Sequence, residues 1–387
     1  MAVYLDHAAT TPMTDDVRHA FVEALGVVGN PSSIHSQGQA ARRVLEEARE
    51  SLAESLDCDS VEVVFTSGGT ESINLAMKGL WWSRRRPRVV IPAAEHHATL
   101  DAADWLERHE AAVVDRVAVD GAGRLDLDDL ARALQEPETV SFLSLLTANN
   151  EVGTLQPVAE VVALAAGVPV HADVVGSFGQ LPFRFRGSGL AAASVSAHKV
   201  GGPVGVGALL VARGTDVTPL LHGGSQQSQR SGTMDVAGAV AFATAARLAV
   251  EDLDAHAAAL AALRDRLVAG VLATVPTAVL RGDPTDRLPG NAHFTFAGCE
   301  GDSLIMLLDL AGFSVSTGSA CRAGVPEASH VLLAMGVSEQ DARGALRVTL
   351  GAGVTAADVD AFVAALPAAV QRASAAGLAE RMTRLGR

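Results

Sequence analysis

Seven short apolar runs alternate with helical patterns through the first two-thirds of this 387-residue sequence. The runs are rich in β-branched residues, and a stretch between them such as QAARRVLEEARESLAESL (39–56) has apolar residues at helical spacing. Such alternation predicts an α/β fold with a mainly parallel, seven-stranded sheet. The runs are VEVVFT (61–66), RVVIP (88–92), AAVVDRVAV (111–119), TVSFLSLL (139–146), VPVHADV (168–174), AAASVS (191–196) and GVGALLVA (205–212).

After about residue 255 the pattern changes. A long helix rich in Ala and Leu is followed by short strand patterns at AHFTF (292–296), FSVSTGSA (313–320) and ALRVTL (345–350). We therefore expect a large domain over residues 15–255 and a smaller α+β domain formed by 1–14 and 256–387. The stretch RGDPTDRLPGN (281–291) is typical of a surface loop.

Composition excludes several classes of protein. A formal net charge of −14 disfavours direct binding of nucleic acid, and the run RRRPR (84–88) suits a helix C-terminus followed by a turn. The opening MAVYLDHAATTP has no signal-peptide pattern and no apolar run is long enough for a membrane span, so we expect a cytoplasmic protein. Three cysteines without CxxC spacing indicate neither a disulfide framework nor a metal site.

A lysine stands between a histidine and glycines in the stretch SVSAHKVGGPVGVGALL (194–210). The sequence contains only two lysines, Lys78 and Lys199. A surface lysine is normally flanked by polar residues, whereas small residues and glycines surround Lys199, as is typical of a ligand site. The ordinary alternative is a surface lysine that lays its aliphatic stem on the protein.

Polar residues also follow several of the apolar runs. In an open parallel sheet, ligands bind beyond the carboxyl ends of the strands, so we expect these residues to meet at one edge. The stretch SGGTES (67–72) opens a helix with glycines and a hydroxyl, which suits an anion. Taken singly, each feature has an ordinary alternative such as a helix cap or a surface histidine. The others are Glu95, His96, His97, Asn149, Asn150, Glu151, Asp173, Ser196, His198 and Lys199.

Together these residues fit one ligand with a phosphate, a ring nitrogen and a carbonyl that condenses with an amine. Pyridoxal 5'-phosphate (PLP) has all three, and its enzymes hold it with a lysine, a carboxylate at the pyridine nitrogen and an anion cradle. Lys199 is then the Schiff-base lysine, and Asp173 keeps the ring nitrogen protonated. The remaining cofactor contacts are expected from His96, stacked on the ring, and from Thr70, Ser196 and His198 at the phosphate.

At this point the sequence resembles a known family: the NifS/IscS-like cysteine desulfurases of the class V aminotransferase group, within the fold-type I PLP-dependent transferases. The resemblance covers nearly the whole chain. It is carried by YLDHAATTP (4–12), GNPSSIH (29–35), FTSGGTESINLAMKG (65–79), EHHATL (95–100), NNEVGTLQP (149–157), HAD (171–173), SAHKVGGPVGVGAL (196–209), RSGT (230–233), STGSAC (316–321) and LRVTLG (346–351).

The resemblance implies a PLP-dependent enzyme that removes sulfur from L-cysteine, giving L-alanine and a persulfide. It implies a homodimer in which Thr233 of one subunit completes the phosphate site of the other. A sulfur-acceptor protein of unknown identity, such as an iron–sulfur cluster assembly scaffold, then takes the persulfide sulfur. The roles carried onto this sequence are Lys199, His96 and Cys321 in catalysis, Gly69 and Asn150 at the cofactor, and Asn30 and Arg347 at the substrate carboxylate.

Cys321 fits a nucleophile better than a packing residue. Its surroundings, STGSACRAGVPEAS (316–329), are small and polar, and the adjacent Arg322 favours a thiolate. Cys299, in HFTFAGCEG, has the surroundings of a buried apolar cysteine.

Three departures from the family pattern stand out. Gly176 occupies the position, three residues after Asp173, where the family usually has a glutamine that donates to the phenolic oxygen of PLP. The stretch HGGSQQSQRSGT places Ser225, Gln226 and Gln227 near the expected dimer-side wall, and Ala352 replaces an arginine usual after LRVTLG. These leave open a specialised role instead of a housekeeping one.

Two alternative functions therefore remain at the level of the sequence. One is a PLP-dependent cysteine or selenocysteine lyase that does not need Cys321. The other is an inactive homologue that serves as a sulfur-transfer scaffold, which Gly176 would suit. The presence of Cys321 in its motif argues against the first, and Lys199, Asp173 and His96 argue against the second.

Overall fold

The structure is a computed structural model and describes residues 2–224, 226–318 and 328–385. Its strands are β1 Val3–Tyr4, β2 Val63–Thr66, β3 Arg88–Pro92, β4 Val113–Val117, β5 Val140–Leu146, β6 Val170–Asp173, β7 Ala192–Ser196, β8 Gly207–Val211, β9 Ala278–Arg281, β10 Asn291–Phe296, β11 Phe313–Ser314 and β12 Ala345–Thr349. Its helices are α1 Asp15–Ala24, α2 Ser36–Ser55, α3 Gly69–Arg84, α4 His97–Glu110, α5 Leu127–Ala133, α6 Val158–Ala165, α7 Val236–Glu251, α8 Leu253–Thr274, α9 Gly301–Leu310, α10 His330–Ala334, α11 Glu339–Ala342 and α12 Ala356–Leu385.

The central sheet has seven strands in the order β2-β8-β7-β6-β5-β3-β4. Strands β4, β3, β5, β6 and β7 pair in parallel, while β8 runs antiparallel to β2 and β7. All seven predicted strands are present, which confirms the mainly parallel α/β sheet. Because β5, β6 and β7 point the same way and pair in register, their last residues Leu146, Asp173 and Ser196 lie at one edge of the sheet.

Helices cover both faces of this sheet. Strands β2, β5, β6, β7 and β8 are buried along their whole length, as expected for strands with a helix layer on each side. One core packs α2 and α7 on one face, with Leu52 and Phe242 fully enclosed. Another packs α3 and α4 on the opposite face, around Leu80 and Leu106.

A second, smaller sheet is antiparallel, in the order β12-β10-β9, and β1 pairs in parallel with β11. Its core joins Leu5 near the N-terminus to Phe294 and Phe362 near the C-terminal end. This packing supports the division into 15–255 and 1–14 with 256–387, which we retain as a proposal.

The stretch 281–291 is only partly the surface loop that its Gly, Pro and Asp content predicts: residues 284–286 are exposed, but 287–291 are buried. Arg287 is only 4% exposed, and its guanidinium donates to the carbonyls of Val152 and Arg281. Leu288 is buried as well. The segment fills the space between the two sheets, where backbone carbonyls need donors, and short-range sequence patterns carry no signal for that contact.

Among the described residues, none of the helices is long and apolar enough to cross a membrane.

Candidate active site

A cavity of about 430 Å³ lies at the carboxyl edge of the central sheet, against the second sheet. Its wall is formed by the N-terminal segment, the start of α3, the residues at the ends of β5, β6 and β7, and the residues of β12 that face the cavity. Among the predicted site residues, the following line it: Gly69, Thr70, His96, Asn150, Asp173, His198, Lys199 and Arg347.

Lys199 lies in this wall, directly after β7. Its Nζ donates hydrogen bonds to the backbone carbonyls of Ala8, at 2.5 Å, and Ala9, at 3.0 Å. Thr11 holds that N-terminal segment in place, because its backbone N–H and its hydroxyl each donate to the carbonyl of His198 at 2.9 Å. Among the residues that the structure describes, only these backbone oxygens accept hydrogen bonds from the amine, and no described carboxylate is in direct contact with it.

Burial is the main reason that the pKa of Lys199 falls from 10.5 to about 8. The positive charge of Arg347 acts in the same direction, while Asp173 and Asp6 oppose it. At pH 7 an amine with this pKa is neutral in about a tenth of the molecules, against fewer than about one in a thousand for a solvated lysine. Lys199 is therefore suited to nucleophilic attack on a carbonyl.

Asp173 ends β6 and points its carboxylate into the buried side of the cavity. It is 3% exposed, and its Oδ1 accepts a hydrogen bond from the Val175 N–H at 2.9 Å. Burial raises the pKa of this carboxyl group to about 6, although that hydrogen bond and the charge of Lys199 favour the ionised form. A buried carboxylate in this state is stabilised by a cation placed against it, such as a protonated pyridine nitrogen.

His96 caps helix α4 from the rim of the cavity. Its Nδ1 accepts the Ala98 N–H at 3.0 Å, so the remaining ring proton sits on Nε2. Burial, reinforced by the charges of Lys199 and His330, lowers the pKa of His96 to about 4. The ring is thus neutral, flat and available to lie over an aromatic ligand.

An anion cradle lies at the start of α3. Gly68 has φ +148° and Gly69 opens the helix, which begins without a side-chain cap. A Cβ at Gly69 would lie 2.8 Å from Val175 Cγ2, so a larger residue there would displace the Val175 side chain. The hydroxyl of Ser196 is buried nearby and has no protein partner. Free N–H groups of a helix N-terminus beside an unpartnered hydroxyl form a typical phosphate site.

Arg347, on β12, faces the same cavity from the second sheet. Its guanidinium donates to Asp6 Oδ1 at 2.9 Å and to the Asn150 carbonyl at 2.8 Å, while its Nε is buried without a partner. The Oδ1 of Asn150 is likewise buried and unpartnered. Both groups are thus available to a polar ligand.

Of the predicted residues that the structure describes, Ser196, Asn30 and Thr233 are not in the wall of this cavity. Asn30 and Thr233 are exposed and lie outside it within their own subunit. Cys321 falls outside the described residues, as does its neighbour Arg322. The role of Asn30, Thr233 and Cys321 therefore remains a prediction.

The departures from the family pattern have a structural counterpart. A Cβ at Gly176 would find nothing closer than the Ala148 carbonyl, at 3.9 Å, so the cavity is open at this position. Gln180, which was not predicted as a site residue, lines the same wall. Its side-chain amide donates a hydrogen bond to the Gly176 carbonyl at 3.2 Å. Ser225 lies outside the described residues, but Gln227 pairs with both backbone groups of Phe65 and so covers the edge of β2.

Other residues of the cavity wall were not predicted from the sequence, because they do not directly follow a strand of the central sheet. His7 is buried with an unpartnered Nδ1, and Asn291 has an unpartnered Oδ1. Ser316 and Gly318 close the cavity next to Arg347.

The arrangement fits PLP on grounds of chemistry alone. An amine of lowered pKa, a buried carboxylate that lacks a cation, and an anion cradle with an unpartnered hydroxyl lie around one cavity. These groups complement an aldehyde, a pyridine nitrogen and a phosphate.

Comparison with known proteins gives the same answer. Residues 3–362 match the model of the aminotransferase class-V family. The chain is 52% identical over 385 residues to an IscS-like cysteine desulfurase of Mycobacterium tuberculosis, covering 97% of this chain and 98% of that protein. It is 41% identical to the cysteine desulfurase IscS of Dictyoglomus turgidum, covering 92% of each. A solved NifS-like protein superposes with a TM-score of 0.89 at 34% identity, over 96% of this chain and all of that one. The chain therefore belongs to the class V aminotransferase family and is a PLP-dependent cysteine desulfurase.

Proposed function

We propose that desulfuration of L-cysteine takes place in the cavity around Lys199 and that Cys321 receives the sulfur. The observation that carries the proposal is Lys199 itself: it is a half-buried amine with a pKa near 8, in one cavity with a buried carboxylate and an anion cradle. When bound, PLP supplies an electron sink that withdraws charge from the carbon atoms of the substrate.

Different residues of the cavity bind different parts of PLP. Lys199 anchors the cofactor covalently, and Asp173 pairs with the ring nitrogen and keeps it protonated. His96 covers one face of the ring, and Asn150 contributes its unpartnered amide oxygen or the amide N–H₂. The phosphate lies against Gly69, Thr70, Ser196 and His198, completed by Thr233 of a second subunit.

Arg347 is the residue proposed to bind the substrate carboxylate. Its guanidinium already has a fixed direction, because Asp6 and the Asn150 carbonyl each accept one of its N–H groups. Its unpartnered Nε leaves a donor for a ligand. Asn30 is proposed as a second contact, and since it lies outside the cavity of its own subunit it would have to reach that of its partner.

Cys321 is the proposed sulfur acceptor. Gly318 lines the cavity, and three residues of chain extend at most about 11 Å, which is enough to bring Cys321 to a ligand there. In the reaction the Cys321 sulfur bonds to the substrate sulfur and the carbon–sulfur bond of the substrate breaks. The electron pair of that bond stays on the substrate carbon, which takes up the proton released by the Cys321 thiol, so the thiol plus cysteine gives the persulfide plus alanine.

The two described cysteines are unsuited to that role. Burial raises the pKa of the Cys58 thiol to about 12 and that of the Cys299 thiol to about 11. A thiol with such a pKa forms almost no thiolate at neutral pH.

A homodimer is supported by exposed apolar side chains. Val22, Leu25, Val28 and Ile34 lie close together in sequence and are each at least 63% exposed in the single chain. Val204, five residues after Lys199, is 75% exposed. Large apolar residues exposed in this number favour a subunit interface. The sulfur acceptor is proposed to be a protein, such as an iron–sulfur scaffold, met in the cytoplasm.

The proposal is tested by Lys199→Ala, with Lys78→Ala as a matched control. Lys78 is the other lysine of the chain, and its Nζ lies 4.2 Å from the centre of the Trp105 ring, away from the cavity. We expect Lys199→Ala to lose both the absorbance of covalently bound PLP and alanine formation, and Lys78→Ala to keep both. Normal turnover by Lys199→Ala would refute the assignment of the site.

A further inference from the structure

We propose that Glu95 is a positioning residue that sets the spacing between His96 and Asp173, the two side chains proposed to hold the PLP ring. This role rests on the proposed function of the cavity. Glu95 is not among the described residues that line the cavity, and none of the proposed contacts with PLP or substrate involves it. It is nevertheless only 1% exposed, and it joins the elements that carry His96 and Asp173.

Glu95 lies in the short connection between β3 and α4, directly before His96. Its Oε1 accepts the N–H of Leu146, the last residue of β5, at 2.7 Å. Leu146 is paired in register with Asp173 on β6, and the Asp173 carbonyl accepts the Thr147 N–H at 2.9 Å. The Glu95 side chain therefore ties the residue before His96 to the strand position beside Asp173.

The backbone of this connection is held from two sides. The Ala94 carbonyl accepts Asn149 Nδ2 at 2.9 Å, and the Glu95 carbonyl accepts His330 Nε2 at 2.8 Å. Asn149 follows β5, whereas His330 begins α10. Because these donors belong to different elements, together they fix the point of the backbone from which His96 extends.

The Glu95 side chain acts as an uncharged acceptor. Its Oε2 is buried without a hydrogen-bond partner among the described residues. Burial raises the pKa of its carboxyl group well above the usual range; the Leu146 N–H and the Thr99 hydroxyl oppose that rise, and the charge of Asp173 adds to it. A buried carboxyl group with so few partners is more stable as the neutral acid. Glu95 thus supports the position of Asp173 without adding a second negative charge beside it.

The loss of this tie should affect binding of the ring and leave binding of the phosphate unchanged. His96 and Asp173 are the proposed contacts of the ring, whereas the anion cradle belongs to the start of α3 and to Ser196. Without the Glu95 side chain, the connection can shift relative to β5. The spacing that suits the ring is then populated in only a fraction of the molecules, which lowers the apparent affinity by that fraction.

Pyridoxine 5'-phosphate is the most direct probe of this spacing. It has the ring and the phosphate of PLP, but an alcohol replaces the aldehyde, so it forms no covalent bond with Lys199. In PLP-free Glu95→Ala, we expect its affinity, measured by calorimetry, to fall about 10-fold. The affinity for inorganic phosphate, measured by competition with pyridoxine 5'-phosphate, should stay as in the wild type. A general loosening of the fold would weaken the binding of both ligands.

Three further variants complete the test. Glu95→Gln keeps an uncharged oxygen acceptor for the Leu146 N–H and should bind pyridoxine 5'-phosphate as the wild type does. His330→Phe keeps an aromatic ring but removes the donor to the Glu95 carbonyl, so the affinity should fall as in Glu95→Ala, by a smaller factor. Glu62→Ala is the matched control: Glu62 Oε2 accepts the Asp59 N–H at 2.9 Å, outside the described wall of the cavity, and its removal should leave the affinity unchanged.

Three outcomes would overturn the proposal: an unchanged affinity of Glu95→Ala for pyridoxine 5'-phosphate, an equal loss of affinity for inorganic phosphate, or a loss in Glu95→Gln as large as that in Glu95→Ala. If Glu95→Ala does not fold, the comparison of His330→Phe with Glu62→Ala decides alone, and equal affinities overturn the proposal. Failure of the proposed function is distinguishable, because the wild type itself would then bind pyridoxine 5'-phosphate no more tightly than inorganic phosphate.

Discussion

At the scale of single residues, the site depends on two charged groups, Lys199 and Asp173, that have no oppositely charged side chain in contact among the described residues. Lys199 is held by backbone carbonyls and Asp173 by a backbone N–H, and burial moves the pKa of each toward its neutral form. Binding of PLP supplies what each lacks, an aldehyde for the amine and a cation for the carboxylate. The charges of the pocket are thus suited to this cofactor.

The pKa of Lys199 predicts how PLP-free protein takes up PLP. Only the neutral amine attacks the aldehyde, and a pKa lowered to about 8 makes that form dominant above this pH. The rate of covalent capture should therefore rise with pH, reach half its plateau near pH 8 and level off above it. Stopped-flow absorbance across pH 6–10 measures this profile. A half-maximum near 10.5, the pKa of a solvated lysine, would contradict the pKa shift.

The position of Gln180 suggests which side chain takes the place of the one that Gly176 lacks. The Gln180 amide reaches the cavity wall beside the open space at Gly176. We expect Gln180→Ala to shift the pH titration of bound PLP, and Gly176→Gln to reverse that shift in the double variant. Spectra identical to the wild type in Gln180→Ala would show that another group, or water, serves this position.

The sequence predicted the members of the site that combine a chemical type with a strand end. Asp173, Lys199 and His96 each follow a recognisable apolar run, which places them at the carboxyl edge of a parallel sheet. Gln180 lies beyond the end of β6, and only the turn after that strand returns it to the cavity. His7 comes from a segment more than 180 residues away from Lys199, a distance that no local pattern reports.

At the scale of elements, a buried histidine links the central strands. His171 on β6 pairs with the Ser144 hydroxyl on β5 and the Ser194 hydroxyl on β7, each at 2.8 Å. It is fully buried, and burial lowers its pKa from 6.5 to about 3. It lies two residues before Asp173 on the same face of β6, so the chain of hydrogen bonds fixes the strands behind that carboxylate.

This histidine predicts acid sensitivity of the fold. Between pH 6.5 and 3 the unfolded chain binds a proton at His171 that the folded chain does not, so the free energy of unfolding falls by about 1.4 kcal/mol per pH unit from this group. His171→Asn should lower the thermal midpoint at pH 7.5 but lose less on transfer to pH 5 than the wild type does. The exposed His19→Asn serves as control. Equal losses in wild type and His171→Asn would contradict the prediction.

The central strands were predictable because burial on both faces gives continuous apolar runs, as in VSFLSLL of β5. Strands β1 and β9 were missed: they are two and four residues long, and β9 ends in Arg281. Arg287 shows most clearly what local sequence does not predict. The Gly, Pro and Asp residues around it indicate a surface loop, but Arg287 is buried, and the carbonyls of Val152 and Arg281 accept its hydrogen bonds. Long-range pairing, rather than local propensity, decides these elements.

At the scale of the whole molecule, the proposed homodimer predicts that Thr233, which lies outside the cavity of its own chain, acts in the site of the partner subunit. Lys199→Ala and Thr233→Ala subunits should each be impaired alone. In a refolded or exchanged mixture, the hybrid dimer has one site with wild-type Lys199 and wild-type Thr233, so about a quarter of all sites should regain wild-type PLP retention and alanine formation. No recovery in a mixture proven to contain hybrids would show that Thr233 does not act across the interface.

The central claim is that sulfur leaves cysteine onto Cys321, and the most direct measurement is alanine formation and protein mass in Cys321→Ala. The described groups proposed to hold PLP, Lys199 and Asp173 among them, all lie outside residues 319–327 in the sequence, so PLP should bind in the variant with the wild-type spectrum. Deleting a covalent nucleophile removes a chemical step, so alanine formation should fall by about two orders of magnitude or more.

Cys299→Ala, which removes a buried thiol of raised pKa, should leave the rate of alanine formation unchanged. After exposure to cysteine, wild type and Cys299→Ala should each gain one sulfur that a reductant removes, and Cys321→Ala should gain none. Alanine formation at the wild-type rate by Cys321→Ala would contradict the account and identify the enzyme as a lyase.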